Sequence, residues 1–394
     1  MSALEYNPFS YEVHEDPYPI YARLREEAPV YHHAGLDFYA LSRHADVLAA
    51  IKDPETYTNT YGVSVEPSAS NPAAKLVMSF LGMDPPQHTK MRALVSRGFT
   101  PRRVAELEPR IREMAIAHLE RMRARGRSEF IGELAGLLPM DVISELLGVP
   151  SPDRAELRAQ ADLLVHREEG VFDVPPAAGV AFGKIWRYFS ERVAERRRAP
   201  QSDLISALLA AEIDGERLTD VEVQSFCNLM IVAGNETTTK LLANALYWLW
   251  RNPDQHKLLA DDPTLIPRWV EETLRYDNSS QAVARVTNRA LTLHGVEIPE
   301  RKRVMLLIGS ANRDERAFPN ADAYDLRRDT TASLSFGQGA HFCLGAALAR
   351  LEGRVVLEEF WRRFPDYQVD PGGCARVHSV SVRGFAALPL ELAP

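Results

Sequence analysis

Residues 336–345 of this chain read Phe-Gly-Gln-Gly-Ala-His-Phe-Cys-Leu-Gly. Gly337 and Gly339 can adopt the positive φ angles of a tight turn, and Cys343 follows that turn. The apolar residues after Cys343 recur on one face of a helix, so the thiol is predicted at a helix N-terminus. Oriented N–H groups and the positive end of the helix dipole favour thiolate over thiol at such a position.

Several kinds of cysteine site can be compared for this segment. A lone cysteine is more often a small buried hydrophobic residue, which is our interpretation of Cys227 and Cys374. Zinc is disfavoured because no other cysteine lies at metal-finger spacing, and a disulfide-exchange site would need a neighbouring partner. Gly345 lacks a side chain, so a flat and bulky group could approach the sulfur. A single thiolate in this loop favours axial ligation of haem iron.

Composition places the chain among ordinary globular proteins. Its 394 residues are 45% hydrophobic and 25% charged, which excludes disordered and fibrous classes. The formal net charge of −8 provides no overall cationic field, so we expect no nucleic-acid partner. Three cysteines cannot form a disulfide framework, which indicates a reducing compartment. No secretory signal and no run of roughly 18 apolar residues is present, so we expect no membrane span and a cytoplasmic location.

The longest predicted helix begins at Thr219, which has capping-box spacing to Glu222, and ends at Asn252. It is apolar on nearly all sides and should cross the interior of the protein. The polar residues 234–239 interrupt it halfway, and they must face a cavity, water or a partner because unpaired burial is costly. The alternative is a solvated stripe with a glycine packing site.

The rest of the chain predicts one large, mainly helical unit with minor sheets. Residues 88–260 are dominantly helical in pattern, and the Pro- and Gly-rich residues 61–87 are predicted as loop. We find no repeat and no clear linker, so residues 1–394 are expected to form a single domain. The β-rich subregion is predicted at about residues 1–60, 283–308 and 376–392.

The pattern Phe336-x-x-Gly339-x-His341-x-Cys343-x-Gly345 resembles the haem-ligand signature of the cytochrome P450 monooxygenases. Other segments resemble further motifs of that family in the same order, so the resemblance covers the whole chain. They are residues 16–19 (Asp-Pro-Tyr-Pro), 84–92 (Asp-Pro-Pro-Gln-His-Thr-Lys-Met-Arg), 233–238 (Ala-Gly-Asn-Glu-Thr-Thr), 272–275 (Glu-Thr-Leu-Arg) and 312–328. Departures are small: Glu315 replaces a common Pro, Tyr324 replaces a common Phe, and Asn235 fills a variable position.

The resemblance implies the cytochrome P450 fold, with haem b between the long central helix and the helix after Cys343. It implies that Cys343 is the metal ligand and that Glu236 and Thr237 are a catalytic acid–alcohol pair that delivers protons. A hydroxyl bond from Thr237 to the carbonyl four residues earlier is the local alternative. The residues expected to bind the cofactor are His88, Arg92, Ala233, Gly234, Arg285, Phe336, His341, Cys343 and Gly345; His88, Arg92, Arg285 and His341 would hold the propionates.

Two further sets of residues follow from the resemblance. Glu272, Arg275 and Arg328 are expected to form a buried structural cluster that secures the cysteine loop. An apolar substrate pocket is expected from Met78, Phe80, Leu81, Leu164, Val165, Leu229, Ala233 and Val283. A medium-sized lipophilic substrate such as a fatty acid, terpenoid or steroid would suit such a pocket.

The implied reaction inserts one oxygen atom from dioxygen into this substrate. The chain lacks a P-loop, a dinucleotide fingerprint and a ferredoxin cysteine cluster, so electrons should come from a separate ferredoxin and its reductase. A basic surface on the Cys343 side is expected to receive the ferredoxin, unless its arginines are solvated or internally paired; they are Arg97, Arg102, Arg103, Arg350 and Arg354. The alternatives are a peroxide-dependent hydroxylase, whose members lack the acid–alcohol pair, and a non-enzymatic haem-thiolate sensor. We expect a monomer.

Overall fold

The computed structural model describes residues 4–71, 78–124, 126–213 and 215–392. Helices dominate these residues, as the sequence predicts. The α-helices are α1 (Tyr11–Glu15), α2 (Tyr18–Glu27), α3 (His44–Lys52), α4 (Gln87–Ser96), α5 (Pro101–Glu106), α6 (Glu108–Arg123), α7 (Leu138–Leu147), α8 (Ser151–Val165), α9 (Pro176–Arg198), α10 (Leu204–Ala210), α11 (Asp220–Arg251), α12 (Pro253–Asp261), α13 (Ile266–Tyr276), α14 (Ile308–Ala311) and α15 (Ala346–Arg363). A π-helical turn, Ile131–Ala135, precedes α7.

The strands are short and form a smaller β-containing region. They are β1 (Val30–His33), β2 (Phe38–Leu41), β3 (Tyr57–Thr58), β4 (Arg127–Glu129), β5 (Glu212–Ile213), β6 (Glu216–Arg217), β7 (Val283–Thr287), β8 (Leu291–Leu293), β9 (Val296–Ile298), β10 (Arg303–Leu306), β11 (Gln368–Val369), β12 (Ala375–Arg376), β13 (Phe385–Ala387) and β14 (Pro389–Glu391). The main sheet has the order β1-β2-β10-β7-β3, so the early strands pair with strands near residue 300. Within it, β10 runs parallel to β2 and antiparallel to β7.

The central helix α11 organises the helical part. It is 32 residues long and begins at the predicted capping box, in which Thr219 and Glu222 bond each other's backbone N–H groups. Helices α7, α8, α9, α13 and α15 pack against it. Most of its side chains are therefore buried, which confirms the prediction of an interior helix.

The described residues form three apolar cores, and two of these border the region that holds the candidate site. The larger core surrounds α11 and includes the fully buried Phe226, Trp269 and Phe360. The smaller core lies between the main sheet and α3, and it includes Val47 and Val304.

The last strand of the chain pairs with a strand in the stretch that the sequence predicts to be mainly helical. Strand β14 pairs with β11 and with β4, which lies inside the stretch predicted to be helical. Residues 127–129 read Arg-Ser-Glu and show no apolar alternation, so only the arrival of the C-terminal strand makes them a strand. The predicted loop at 61–87 contains two 3₁₀ turns, Pro67–Ser70 and Ser79–Gly82, while residues 72–77 lie outside the described part.

In the described ranges, no single helix is both long enough and apolar enough to cross a membrane. One bent pair, Ile131–Leu147 with Ser151–Val165, meets the length and composition criteria together.

Candidate active site

A cavity of about 290 Å³ lies where the two apolar cores meet. Helix α11 and the segment around Cys343 both contribute walls to it. Thirteen of the residues predicted for the site line this cavity: Phe80, Leu81, Arg92, Leu229, Ala233, Gly234, Thr237, Val283, Arg285, Phe336, His341, Cys343 and Gly345. The fold therefore gathers the sequence candidates from distant parts of the chain around one space.

Three residues predicted for the pocket, Met78, Leu164 and Val165, are not among the residues that line this cavity. Leu164 packs against the larger core, and Met78 directly precedes the 3₁₀ turn Ser79–Gly82. The resemblance places α8 near the cavity, but only packing sets which face of a helix points inward.

The cysteine loop has the geometry that its glycines suggest. Gly337 and Gly339 have φ angles of 68° and 66°, which ordinary side chains rarely adopt. The Cys343 N–H donates to the Phe336 carbonyl over 2.8 Å, which closes the turn. A Cβ atom at Gly345 would lie 4.0 Å from the Cys343 sulfur, so the missing side chain keeps that side of the sulfur open.

The Cys343 side chain is accessible from the cavity, yet dense protein surrounds the sulfur. Burial raises the pKa of the Cys343 thiol, whereas N–H groups of Gly345 and Ala346 and the charge of Arg92 lower it. The net direction is upward.

Cationic and imidazole side chains line or adjoin the cavity without the direct ion pairs that buried cations usually have. Arg92 and Arg285 make no ion pair within the described residues, and burial lowers the pKa of both, to about 10 for Arg285. Neither ring nitrogen of the buried His88 has a hydrogen-bond partner, and neither does Nη1 of Arg92. His88 does not line the cavity itself but packs against the His341 ring, with centroids 4.0 Å apart.

His341 differs from these three residues because its ring nitrogens are already engaged. Nε2 lies at hydrogen-bond distance from the Asn59 amide, and the Met83 carbonyl accepts a bond from the ring. Burial, followed by the charge of neighbouring His88, lowers the pKa of His341 to about 3, so the ring is neutral. It can shape the cavity, but it supplies no positive charge.

The residues present fit a haem group. One thiol faces the cavity, and the glycine next to it leaves space beside the sulfur. Donors without hydrogen-bond partners could bind the two propionates of haem. Glu352 also lines the cavity, but burial raises its pKa to about 8, so it adds no negative charge at neutral pH. No group of three His, Cys, Asp or Glu side chains in the described ranges could hold a bare metal ion.

On α11, Gly234 and Thr237 face the cavity. A Cβ atom at Gly234 would meet Ile143 first, at 3.6 Å, which is an ordinary van der Waals contact. The Thr237 hydroxyl donates to the Ala233 carbonyl over 2.9 Å, as the local alternative suggested. Its oxygen keeps two lone pairs, and these can accept bonds from the cavity.

Glu236 is not among the residues that line the cavity, and its side chain is 4% exposed. Lys240 Nζ lies 3.2 Å from Glu236 Oε2, and the Asp162 carboxyl on α8 hydrogen-bonds to Glu236. Sequence analysis missed both neighbours. Lys240 stands four residues after Glu236, a spacing that predicts a helical ion pair. Asp162 carries no sequence signal, because only the crossing of α8 over α11 brings it close.

The structure also brings Glu272, Arg275 and Arg328 together. Arg275 binds both carboxylate oxygens of Glu272, at 2.7 and 2.8 Å, and Arg328 Nε lies 3.3 Å from the same carboxylate. Backbone carbonyls accept the remaining Arg275 donors. The cluster connects to the cysteine loop because Ser335 donates to the Leu274 carbonyl on α13 over 2.7 Å.

The surface arginines expected near Cys343 fall into two groups. Arg350 pairs with Glu271 at 2.5 Å, Arg354 with Glu108 at 2.6 Å, and Arg102 with Glu106 at 3.0 Å. Arg97 and Arg103 are exposed and have no ion pair in the described part of the chain. The available positive charge is therefore smaller than the sequence suggests.

Comparison with known proteins adds an independent result. The family model described as "Cytochrome P450" matches residues 176–376. Cytochrome P450 123 of Mycobacterium tuberculosis is 53% identical over 387 residues, which cover 98% of this chain and 96% of that protein. The vitamin D(3) 25-hydroxylase of Pseudonocardia autotrophica is 40% identical, and the match covers 99% of this chain and 97% of that protein.

A solved structure shows the same architecture. CYP109E1 of Bacillus megaterium, crystallised in complex with testosterone, superposes with a TM-score of 0.91 at 29% identity. The superposition covers 98% of this chain and 100% of that one.

Proposed function

The chain belongs to the cytochrome P450 family of haem monooxygenases, and from this premise we propose that the cavity would hold haem b, with Cys343 supplying the thiolate ligand of its iron. The observation that carries the proposal is the shared cavity, in which Cys343 and Thr237 stand among unpartnered cationic donors. When bound, haem supplies the iron chemistry that activates dioxygen. The chain would act as one 394-residue domain.

Arg92 and Arg285 would neutralise the haem propionates, and His88 would donate a hydrogen bond. All three are buried or half-buried with donors left over, so a carboxylate group in the cavity would satisfy them. His341 would stack and close the site rather than carry charge, because its nitrogens are already bonded.

Thr237 would position protons at the cavity wall. Its hydroxyl is held by the Ala233 carbonyl, which directs the oxygen lone pairs towards the cavity. Glu236 faces the neighbouring side of α11, so proton movement between the two would run through water. Gly234 would keep the space next to Thr237 clear.

The substrate would be a medium-sized lipophilic molecule. Beside Thr237 the cavity wall is mostly apolar, with Phe80, Leu229, Met230 and Val283 among its residues. The names of two relatives, a vitamin D(3) hydroxylase and a protein crystallised with testosterone, favour a steroid-like substrate within this class.

An acidic ferredoxin would supply electrons from the Cys343 side. Arg97 and Arg103 are the exposed cations free to receive it, since Arg350 and Arg354 are paired with carboxylates. Charge complementarity of this kind speeds the encounter of two proteins.

Replacement of the cysteine tests the proposed ligand. The reduced protein with carbon monoxide should show the absorption band of thiolate-ligated haem, and Cys343→Ala should lose it. Cys227→Ala and Cys374→Ala are matched controls that should retain it. A Cys343→Ala protein that keeps the band would disprove the assignment.

A further inference from the structure

Two carboxyl groups meet where α8 packs on α11. Glu236 lies on the α11 face adjacent to the one that lines the cavity, and Asp162 reaches it from the last turns of α8. Much of Asp162 is exposed, whereas Glu236 is almost fully buried. The pair thus joins the interior of α11 to solvent.

Charges around the pair distinguish the two groups. Burial would raise the pKa of Glu236, but the Lys240 ammonium and the hydrogen bond from Asp162 lower it below its ordinary value. Burial and the Glu236 carboxylate raise the pKa of Asp162 to about 7, against smaller opposing effects of Arg158 and Lys240. One proton is therefore shared unequally, and near neutral pH it resides on Asp162.

Neighbouring elements add no other charge to this pair. On α9, Lys184 pairs with Glu156 and the Tyr188 hydroxyl bonds Asp153. On α7, Asp141 and Glu145 both face Arg154. In the described part of the chain, the groups that face Asp162 are consequently Glu236 and Lys240 from α11 and Arg158 from its own helix.

The two cations near Asp162 and Glu236 are packed against glycines. A Cβ atom added at Gly384 would lie 2.4 Å from the Cβ atom of Lys240. Arg158 occupies the space that a side chain at Gly136 would need. The stem of Lys240 is thus closely packed, which keeps its ammonium beside Glu236.

We propose that Asp162 is a positioning residue that transfers protons from solvent to Glu236. Lys240 keeps the Glu236 carboxylate ionised between transfers, so that it can accept the next proton. This inference rests on the proposed role of Glu236 and Thr237. In the step, the Asp162 carboxyl gives its proton to the Glu236 carboxylate, which leaves Asp162 ionised and Glu236 neutral. Asp162 then takes a proton from solvent, and Glu236 passes its proton towards the cavity.

Infrared spectroscopy tests the proton on Asp162 without turnover. In a Glu352→Gln background, which removes another buried acid with a raised pKa, a protonated-carboxyl C=O band should be present at about pH 6 and lost by about pH 8. Asp162→Asn should abolish the band. Glu156→Gln, on the same helix, should leave it unchanged. Persistence of the full band in Asp162→Asn would overturn the proposal.

A pH profile tests whether that proton is used. The substrate-free consumption of dioxygen, driven by a plant-type ferredoxin and its reductase, should slow as pH rises through about 7 in the unmodified protein. Asp162→Asn should be several-fold slower at neutral pH and lack this inflection, and Asp162→Glu should restore part of the rate. An unchanged inflection in Asp162→Asn refutes the relay.

Two further variants separate this inference from the proposed function. If Glu236→Gln and Thr237→Ala change the rate but Asp162→Asn does not, only the relay is wrong. If neither of those two changes the rate or the yield of peroxide, the proposed role of the acid–alcohol pair is wrong, and the relay with it.

Discussion

This protein has two groups of buried or half-buried arginines with opposite surroundings. In one group every donor is bonded, and in the other the arginines have no ion pair. Beneath the cysteine loop, every donor of Arg275 has an acceptor, and Glu272 is bound by two arginines. At the cavity, Arg92 and Arg285 have no ion pair within the described residues. A buried charge whose partners are all present is tolerated, and loss of one partner is costly, whereas a buried charge without partners costs free energy until a ligand binds it.

Breaking the satisfied cluster should have the largest effect. Arg275→Met leaves the Glu272 carboxylate buried with too few partners and should lower the free energy of unfolding by about 3–5 kcal/mol. Thermal denaturation would measure the loss. Arg327→Met, next to the cluster but exposed, should change stability by less than about 0.5 kcal/mol. Equal losses in the two variants would show that burial of the pair is not the cause.

Glu352 lines the cavity and has a buried carboxyl oxygen without a hydrogen-bond partner. This residue should make the free energy of unfolding depend on pH. Burial raises its pKa to about 8, above the unfolded value, so the folded state holds an extra proton between about pH 4.5 and 8. Stability should therefore fall as pH rises through this window, by up to about 1.4 kcal/mol for each unit.

The variant Glu352→Gln isolates this effect, because an amide cannot ionise. Its stability relative to the unmodified protein should increase with pH, reaching a plateau above about pH 8. Chemical denaturation at several pH values measures the difference. A constant difference across the window would mean that Glu352 is ionised in the folded protein.

Removal of an unsatisfied cation should weaken ligand binding and spare the fold. Arg285→Met deletes a buried charge that has one backbone acceptor, Ala284, so the haem-free protein should be as stable as before or more so. Loss of a charged hydrogen bond to a propionate should cost about 1.5–3 kcal/mol of haem affinity. Haem transfer to an excess of an acceptor apoprotein measures that loss. A large drop in the stability of the haem-free protein would assign Arg285 to the structural group.

Paired and unpaired arginines also differ at the surface, where we expect the smallest effect, a change in the rate of reduction by ferredoxin. Arg97→Glu with Arg103→Glu reverses unpaired charges and should slow reduction by an acidic ferredoxin, most clearly at low ionic strength. Reduction by dithionite should be unchanged. Arg127→Glu, an exposed arginine paired with Glu391 near the chain end, is a control that should leave the ferredoxin rate unaltered. Equal slowing by both would exclude this docking surface.

Local patterns were enough to predict much of the fold. The capping box at Thr219 and the long apolar run after it identify α11, because both signals depend on neighbours within a few residues. Strand β4 could not be predicted in this way. Its residues have no strand pattern, and pairing with β14 at the far end of the chain creates it.

The sequence by itself determined the chemical groups of the site and their family. The turn with Gly337 and Gly339, the thiol of Cys343 and the polar residues of α11 are local features, so short-range stereochemistry fixes them. Tertiary structure alone decided which charges from distant parts of the chain are paired. It brought Arg350 to Glu271, Arg354 to Glu108 and Asp162 to Glu236. The reason is physical: hydrogen bonds, burial and pKa depend on which helices cross, and those distances arise only when the chain is packed.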